Sequence, residues 1–228
     1  SLQIYRYGFF EKGLTKMILN ILKPGMTFFD VGAHFGYYTL LGSFLVGKKG
    51  RVHSFEPVPT TFNILKANAS NKSNVVLNNC AVLSAKGTHF INDYGIRYSA
   101  YNSFYDLRMP LGFLKRVEKK KHKAECVSID DYVEENGTVP DFVKIDAENS
   151  EHEIINSMEK TIDKFHPIIS VEVGDFGLKG IATSKNLITF LVNKGYRPYE
   201  FMGGKMLPHT LRNEPYSYDN ILFTSKAI

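Results

Sequence analysis

The chain has no tryptophan and only two cysteines, Cys80 and Cys126. Two thiols build neither a disulfide framework nor a cysteine metal site, so a reducing compartment, the cytoplasm, is expected. No apolar run approaches the roughly eighteen residues needed to cross a bilayer, and no stretch reads as a signal peptide. There is no internal repeat, and no low-complexity tract apart from a lysine run near residue 120. Neither sign of charge dominates: 28 Lys and Arg face 23 Asp and Glu. The net +5 permits an anionic partner without requiring nucleic acid. At 228 residues the length suits one domain with a decorated edge better than two.

Phenylalanine and tyrosine are plentiful, and hydrophobic residues make up 43% of the chain, enough for a sizeable core. The most informative stretch is Phe28-Phe29-Asp30-Val31-Gly32-Ala33-His34-Phe35-Gly36. An apolar run ends in an acid and passes through two glycines four apart into a helical pattern. Such a turn lets the backbone approach a ligand and presents free N–H groups to it. It is not the dinucleotide fingerprint, which carries one more glycine.

Apolar spacing predicts a lead-in helix over 9–22, ended by Pro24-Gly25. A strand at Thr27–Gly32 follows, then a helix with Tyr37, Leu40, Leu41, Phe44 and Leu45 on its inner face. Further strands are expected at Arg51–Phe55 and Val75–Val82, separated by a helix that opens at Pro59 and buries Phe62, Leu65 and Ala69. This alternation gives a doubly wound parallel sheet. Gly87–Asp93 reads as an extra strand. Residues 94–124 break the rhythm and read as an insertion, rich in tyrosine and then basic, with 111–123 helical or frayed. Strands at Asp141–Asp146, Ile168–Val173, Arg197–Phe201 and Asn220–Thr224 complete the pattern. Helices lie over Glu151–Ile162, with Ser150 and Glu153 as a capping box, and from Ser184 to Gly195. With no helix before it, the last strand should run antiparallel.

Ligands of such sheets bind beyond the carboxyl ends of the strands. The polar residues at those ends are Asp30, Gly32, Glu56, Asn79, Cys80, Asp146, Glu148 and Glu172. Five acids at neighbouring strand ends repel one another unless a ligand, a donor or a cation meets them. Glu56, closing the second strand, is placed to accept hydrogen bonds from both hydroxyls of a ribose. Lys144 and Asp146 lie two apart in one strand and share a face, as an internal salt bridge or as a catalytic pair.

These residues resemble the FkbM family of S-adenosylmethionine-dependent O-methyltransferases. The likeness runs through Asp30-Val31-Gly32-Ala33-His34-Phe35-Gly36-Tyr37-Tyr38-Thr39 and Phe55-Glu56-Pro57-Val58-Pro59. It continues in Phe62, Leu65 and Asn68, in Ala81-Val82, and in Lys144-Ile145-Asp146-Ala147-Glu148 with Glu151 beyond. His34 stands where the family usually has Asn, and Asn149 where Gly usually follows the acid. Asn tolerates a left-handed backbone, so that turn can survive. Residues 94–124 match nothing in the family.

The resemblance implies a single class I methyltransferase domain over 1–228, with seven strands in a mostly parallel sheet. It implies S-adenosylmethionine as the cofactor. Asp30, Gly32, Ala33, Gly36 and Asp146 would lie about its methionine part, Glu56 and Pro57 at the ribose, and Asn79, Cys80 and Ala81 near the adenine. Catalytic candidates are Asp146, Glu148, Lys144 and His34, with Asp146 the first choice of base and Glu172 a further one. The partner implied is a hydroxylated small molecule, a sugar or an anionic acceptor. The basic run is either a solvated face or, with Tyr94, Tyr98, Tyr101 and Tyr105 stacking on sugar or base rings, a lid over an anionic acceptor. No metal is assigned, because the acid spacing is not a metal motif. Three other readings stay open: an RNA-modifying methyltransferase, a nicotinamide-dependent oxidoreductase, and a binding protein that keeps the cofactor pocket but has lost catalysis.

Overall fold

The computed structural model describes residues 6, 8–105, 117–175 and 182–226. The main sheet contains β1 (Thr27–Val31), β2 (Arg51–Phe55), β3 (Val75–Asn78), β7 (Phe142–Ile145), β8 (Ile168–Val173), β9 (Arg197–Met202), β10 (Lys205–Pro208) and β11 (Asp219–Thr224). Their order is β10-β9-β11-β8-β7-β1-β2-β3. β11 runs antiparallel to both β8 and β9, as expected from the missing crossover helix. β10 adds an eighth strand to the seven expected. It forms a hairpin with β9 across Gly203 and Gly204, both at positive φ, which is the backbone a two-residue hairpin turn demands.

Helices α1 (Lys12–Ile21) and α2 (Tyr37–Val46) cover one face of the sheet, over Phe28, Val52, Phe142 and Leu222. The other face, bearing Phe29, Val31, Val143, Ile145 and Ile169, packs on α4 (Ile129–Asn136), α5 (Glu151–Asn156), α6 (Glu159–Phe165) and α7 (Ser184–Asn193). Helix α3 (Pro59–Asn68) opens on its proline and buries Leu65. The central strands carry apolar side chains on both faces, as doubly covered parallel strands require.

Several local expectations need correction. The stretch expected as one strand over Val75–Val82 breaks at Asn79-Cys80. Its second part, β4 (Ala81–Val82), joins a separate three-stranded sheet with β5 (Gly87–Asp93) and β6 (Lys120–Val127). Much of the lysine run is therefore strand, not frayed helix. β6 satisfies the open edge of β5, and Lys121 and Lys123 project outward from it while Ala124 and Cys126 face in. Arg108, Lys115 and Arg116 lie outside the described residues. The single helix expected after β7 is two, α5 and α6, divided at Ser157-Met158. Ser150 makes no capping bond and Glu153 accepts from Ser84 instead, so the capping box is absent. Thr183, not Ser184, caps α7.

The inner face of α2 also differs from the expected one. Tyr37, Leu41 and Leu45 are partly buried against the core as expected, but Phe44 is 81% exposed, and Tyr38, Thr39, Gly42, Ser43 and Val46 are buried. Small residues face inward because the helix lies almost on the strand. A Cβ on Gly42 would come within 2.4 Å of the Phe28 ring, and that ring is stacked on Phe142 at 5.3 Å. Alanine gains about 1 kcal/mol of helix propensity over glycine, whereas overpacking a filled core costs about 1–3 kcal/mol. Gly42→Ala should therefore lower the urea midpoint through a net loss of up to about 2 kcal/mol, and a higher midpoint would refute this packing.

Candidate active site

The β1 turn is fixed by backbone hydrogen bonds. The N–H groups of Gly32 and Ala33 both donate to the carbonyl of Phe55, and that of Gly36 donates to Ala33. Gly32 has φ +73, and a Cβ there would lie 1.8 Å from the carbonyl oxygen of Asp146. Only glycine lets the end of β1 pass this close to the end of β7. His34 also adopts a left-handed backbone, φ +52. Its N–H then points at Glu56 Oε2, at 3.0 Å, while Val58 N–H donates to Oε1, also at 3.0 Å. Asn79 donates to the carbonyls of Glu56 and Pro57 and braces the same loop. Glu56 is buried, and that burial raises its carboxyl to about 7 against the pull of the two N–H groups.

Across the turn, Asp30 and Lys144 are register partners on β1 and β7, so both point to the same face. Lys144 is 2% exposed. Its Nζ lies 3.4 Å from Asp30 Oδ1 and 3.2 Å from Asp146 Oδ2, and donates to the carbonyl of Gly32 at 3.1 Å. It also sits 5.2 Å over the Tyr38 ring. Burial alone would push the ammonium down, but Asp146, Asp30 and Glu11 together hold it above its usual value. Asp30 is completed by Thr39, which donates to Oδ2 at 2.7 Å.

Beyond Lys144 the wall is acidic. One oxygen each from Asp146, Glu148 and Glu172 lie within 4.8 Å of one another. Burial first, and then the Asp146 charge, raise Glu148 to about 8 and Glu172 to about 11. Tyr218 Oη donates to Glu148 Oε2 at 3.3 Å. A divalent cation here would compete with the Lys144 ammonium, and we assign none. Glu148 and Asn149 both have positive φ, 48° and 78°. Asn149 thus takes the left-handed turn that its residue type allows, and Glu148 shares it.

These groups line a cavity of about 850 Å³, near the upper end for small-molecule sites. Of the residues singled out in the sequence, Gly32, Ala33, His34, Glu56, Pro57, Cys80, Ala81, Lys144, Asp146, Glu148 and Glu172 line it. Asp30, Gly36 and Asn79 do not. Asp30 lies beneath Lys144, Gly36 packs against Leu65, and Asn79 holds the Glu56 loop from behind. Over the cavity lies a 3₁₀ turn, Ile96–Tyr101. It is tied down by His34 Nε2 to Ser99 Oγ at 2.7 Å and by Ser103 Oγ to the Glu148 carbonyl at 2.7 Å. Burial, and then the charge of Lys144, lower His34 to about 4. Of the four tyrosines read as a lid, Tyr101 alone lines the cavity, and none of the lysines at 119–123 does. Glu11 and Tyr218 line it and were missed in the sequence. Each stands in irregular chain just before an element, where no period marks it.

Two polar atoms on this wall have no hydrogen-bond partner, Ser150 Oγ and Asn102 Nδ2. A family model for the methyltransferase FkbM domain matches residues 30–198.

The chain belongs to that family. The nicotinamide reading falls with this membership. No curated protein matches the chain. Among solved structures, an FkbM methyltransferase from Methylobacillus flagellatus KT matches at 16% identity and TM-score 0.51, over 88% of this chain and 43% of that one. This chain thus spans less than half of that protein. Aeropyrum pernix fibrillarin, solved with S-adenosyl-L-methionine bound, matches at 9% identity and TM-score 0.53, over 92% and 73% of the two chains. A putative rRNA-methylase from Clostridium thermocellum matches at 15% identity and TM-score 0.50, over 95% and 97%. These likenesses show the fold.

In this FkbM-domain fold the Lys144 ammonium neutralises two carboxylates that β1 and β7 bring together. Lys144→Met should cost about 3–5 kcal/mol in chemical denaturation, because it strands buried Asp30 and half-buried Asp146. Adding Asp30→Asn should recover part of that loss. A single variant as stable as the parent would contradict the arrangement.

Proposed function

We propose that this chain transfers the methyl group of S-adenosylmethionine to a hydroxyl of a small-molecule acceptor. The observation that carries the reading is one continuous cavity. Glu56 lies at one end, and a carboxyl raised to about 8, Glu148, lies at the other.

The residues fit the cofactor. Each Glu56 oxygen accepts one backbone N–H and keeps a lone pair, so the carboxylate can take both ribose hydroxyls. Cys80 and Ala81 offer a small, uncharged wall for the adenine ring. Burial raises the Cys80 thiol to about 12, so it stays protonated and unreactive. Gly32 and Ala33 bring bare backbone to the methionine part. Bound there, the cofactor supplies a methyl group on a positive sulfur.

The remaining work is positioning and proton transfer. The cavity walls hold the acceptor oxygen in line with the methyl carbon, which accounts for much of the rate in such displacements. Glu148 is the base we favour. A base works best with a pKa near the working pH, and His34 near 4 is too weak. Asp146 is engaged by Lys144, 3.2 Å away, and serves to fix that ammonium. The acceptor is a sugar or a comparable polyol. Glu148 and Glu172 line the cavity, and carboxyls raised by burial can both donate to and accept from its hydroxyls. With β6 projecting its lysines elsewhere, the cavity itself gives an RNA acceptor no support.

A mass-spectrometric screen of hydroxylated sugars and secondary metabolites should give methylated product with the wild-type chain. On such an acceptor, Glu148→Gln should lower kcat by about 10²–10⁴-fold while S-adenosylhomocysteine still binds. Unchanged kcat in the variant would remove Glu148 as the base.

A further inference from the structure

Resting on the cofactor assigned above, we propose that Glu148 and Glu172 are the residues by which the cavity reads the charge on the cofactor's sulfur. They give up a proton when the sulfonium enters and recover one when only the thioether product remains.

Geometry puts the two side chains where that charge must lie. Along the sheet, β2, β1, β7 and β8 are consecutive neighbours. Their ends carry Glu56, Gly32, Asp146 with Glu148, and Glu172 in turn. Strands lie about 4.8 Å apart, so the end of β7 is roughly 10 Å from that of β2. A nucleoside held by its ribose on Glu56 therefore extends its sulfur past Gly32 toward the acids. Among the described residues nothing else in that corner offers compensating charge: the Glu172 side chain has no hydrogen bond or ion pair, and the Glu148 side chain takes one bond, from Tyr218. The groups that face the pair are Asp146 and Lys144 from β7, Glu151 from α5, Glu11 from ahead of α1, and Tyr218 from ahead of β11. The one cation among them, Lys144, is already shared between Asp30, Asp146 and two backbone carbonyls.

With one oxygen each of Asp146, Glu148 and Glu172 within 4.8 Å of one another, ionising both Glu148 and Glu172 is disfavoured at neutral pH, so the corner holds a proton until the sulfonium binds. A positive sulfur beside them favours the carboxylate, and the proton leaves to solvent. The cofactor's own charge thereby converts Glu148 into a ready base. In the reaction Glu148 takes the hydroxyl proton as the C–O bond forms, while the C–S pair returns to sulfur. One positive and one negative charge vanish together, and the corner is left as it was before binding. The ribose end is common to both ligands, so protonation of Glu56 affects them equally and cancels in the comparison.

Calorimetry in phosphate and in Tris, at pH 7.0, separates proton release from binding heat. That pH lies below the range in which α-amino groups titrate. S-adenosylmethionine should release roughly 0.5–1 proton more than S-adenosylhomocysteine does. Its affinity should gain on the homocysteine form by up to roughly tenfold for each pH unit between 6 and 7. Glu148→Gln with Glu172→Gln should abolish the difference, and retained homocysteine binding will show that this double variant is folded. Equal proton release by both ligands in the wild-type chain overturns the inference and leaves the cofactor assignment intact. Binding of neither ligand overturns both.

Discussion

The Lys144 ammonium is the contact on which the rest of the cavity depends. It is fully buried, yet it meets the carboxylates of Asp30 on β1 and Asp146 just past β7, and the backbone carbonyls of Val31 and Gly32. Those two strands flank the point where the sheet's order reverses, and their ends form the cavity floor. An isolated ammonium in that position would be expensive to bury, and so would Asp30. Together they hold the Gly32 turn at a separation that only glycine can occupy. The ligand-facing backbone is thus shaped before any ligand arrives, and less ordering is left for binding to offset.

A second constraint is the sorting of acids by environment. Glu56 is held by two N–H groups and points its remaining lone pairs along the cavity. Glu148 and Glu172 lack such donors and rise to about 8 and about 11. Carboxyl groups in one cavity are thereby divided between holding hydroxyls and handling protons. The segment that carries the 3₁₀ turn over the cavity adds a further link. Ser103 fastens it to the Glu148 carbonyl and Ser99 to the His34 ring, so the strained turns at both strand ends are clamped by one segment.

Much of this was legible in the sequence. The parallel order of the main strands, the antiparallel last strand, the Gly32 turn and the acids at the strand ends all follow from period, turn chemistry and topology rules. What was not legible depended on pairing across the chain. Asp30 sits beside Lys144 only because β1 pairs with β7, and nothing local reveals that, so Asp30 read as a ligand contact. The inner face of α2 was misassigned in part, at Phe44 and at the small residues, because bulk was taken to mean burial, although Tyr37, Leu41 and Leu45 do pack on the core. The close approach at Gly42 reverses that order and leaves Phe44 in solvent. The lysines of β6 read as insertion or lid because charge masked their strand period. Their partner, β5, lies some thirty residues earlier, across a segment with no pattern of its own. Tyr218 and Glu11 precede regular elements and carried no signal at all.

The most direct measurement is a crystal structure of the chain with S-adenosylhomocysteine. The ribose hydroxyls should lie within hydrogen-bond distance of Glu56, the sulfur should face the Asp146 and Glu148 end, and Lys144 should still bridge β1 and β7. A nucleoside seated elsewhere, or a Glu56 carboxylate turned from the ribose, would contradict the account.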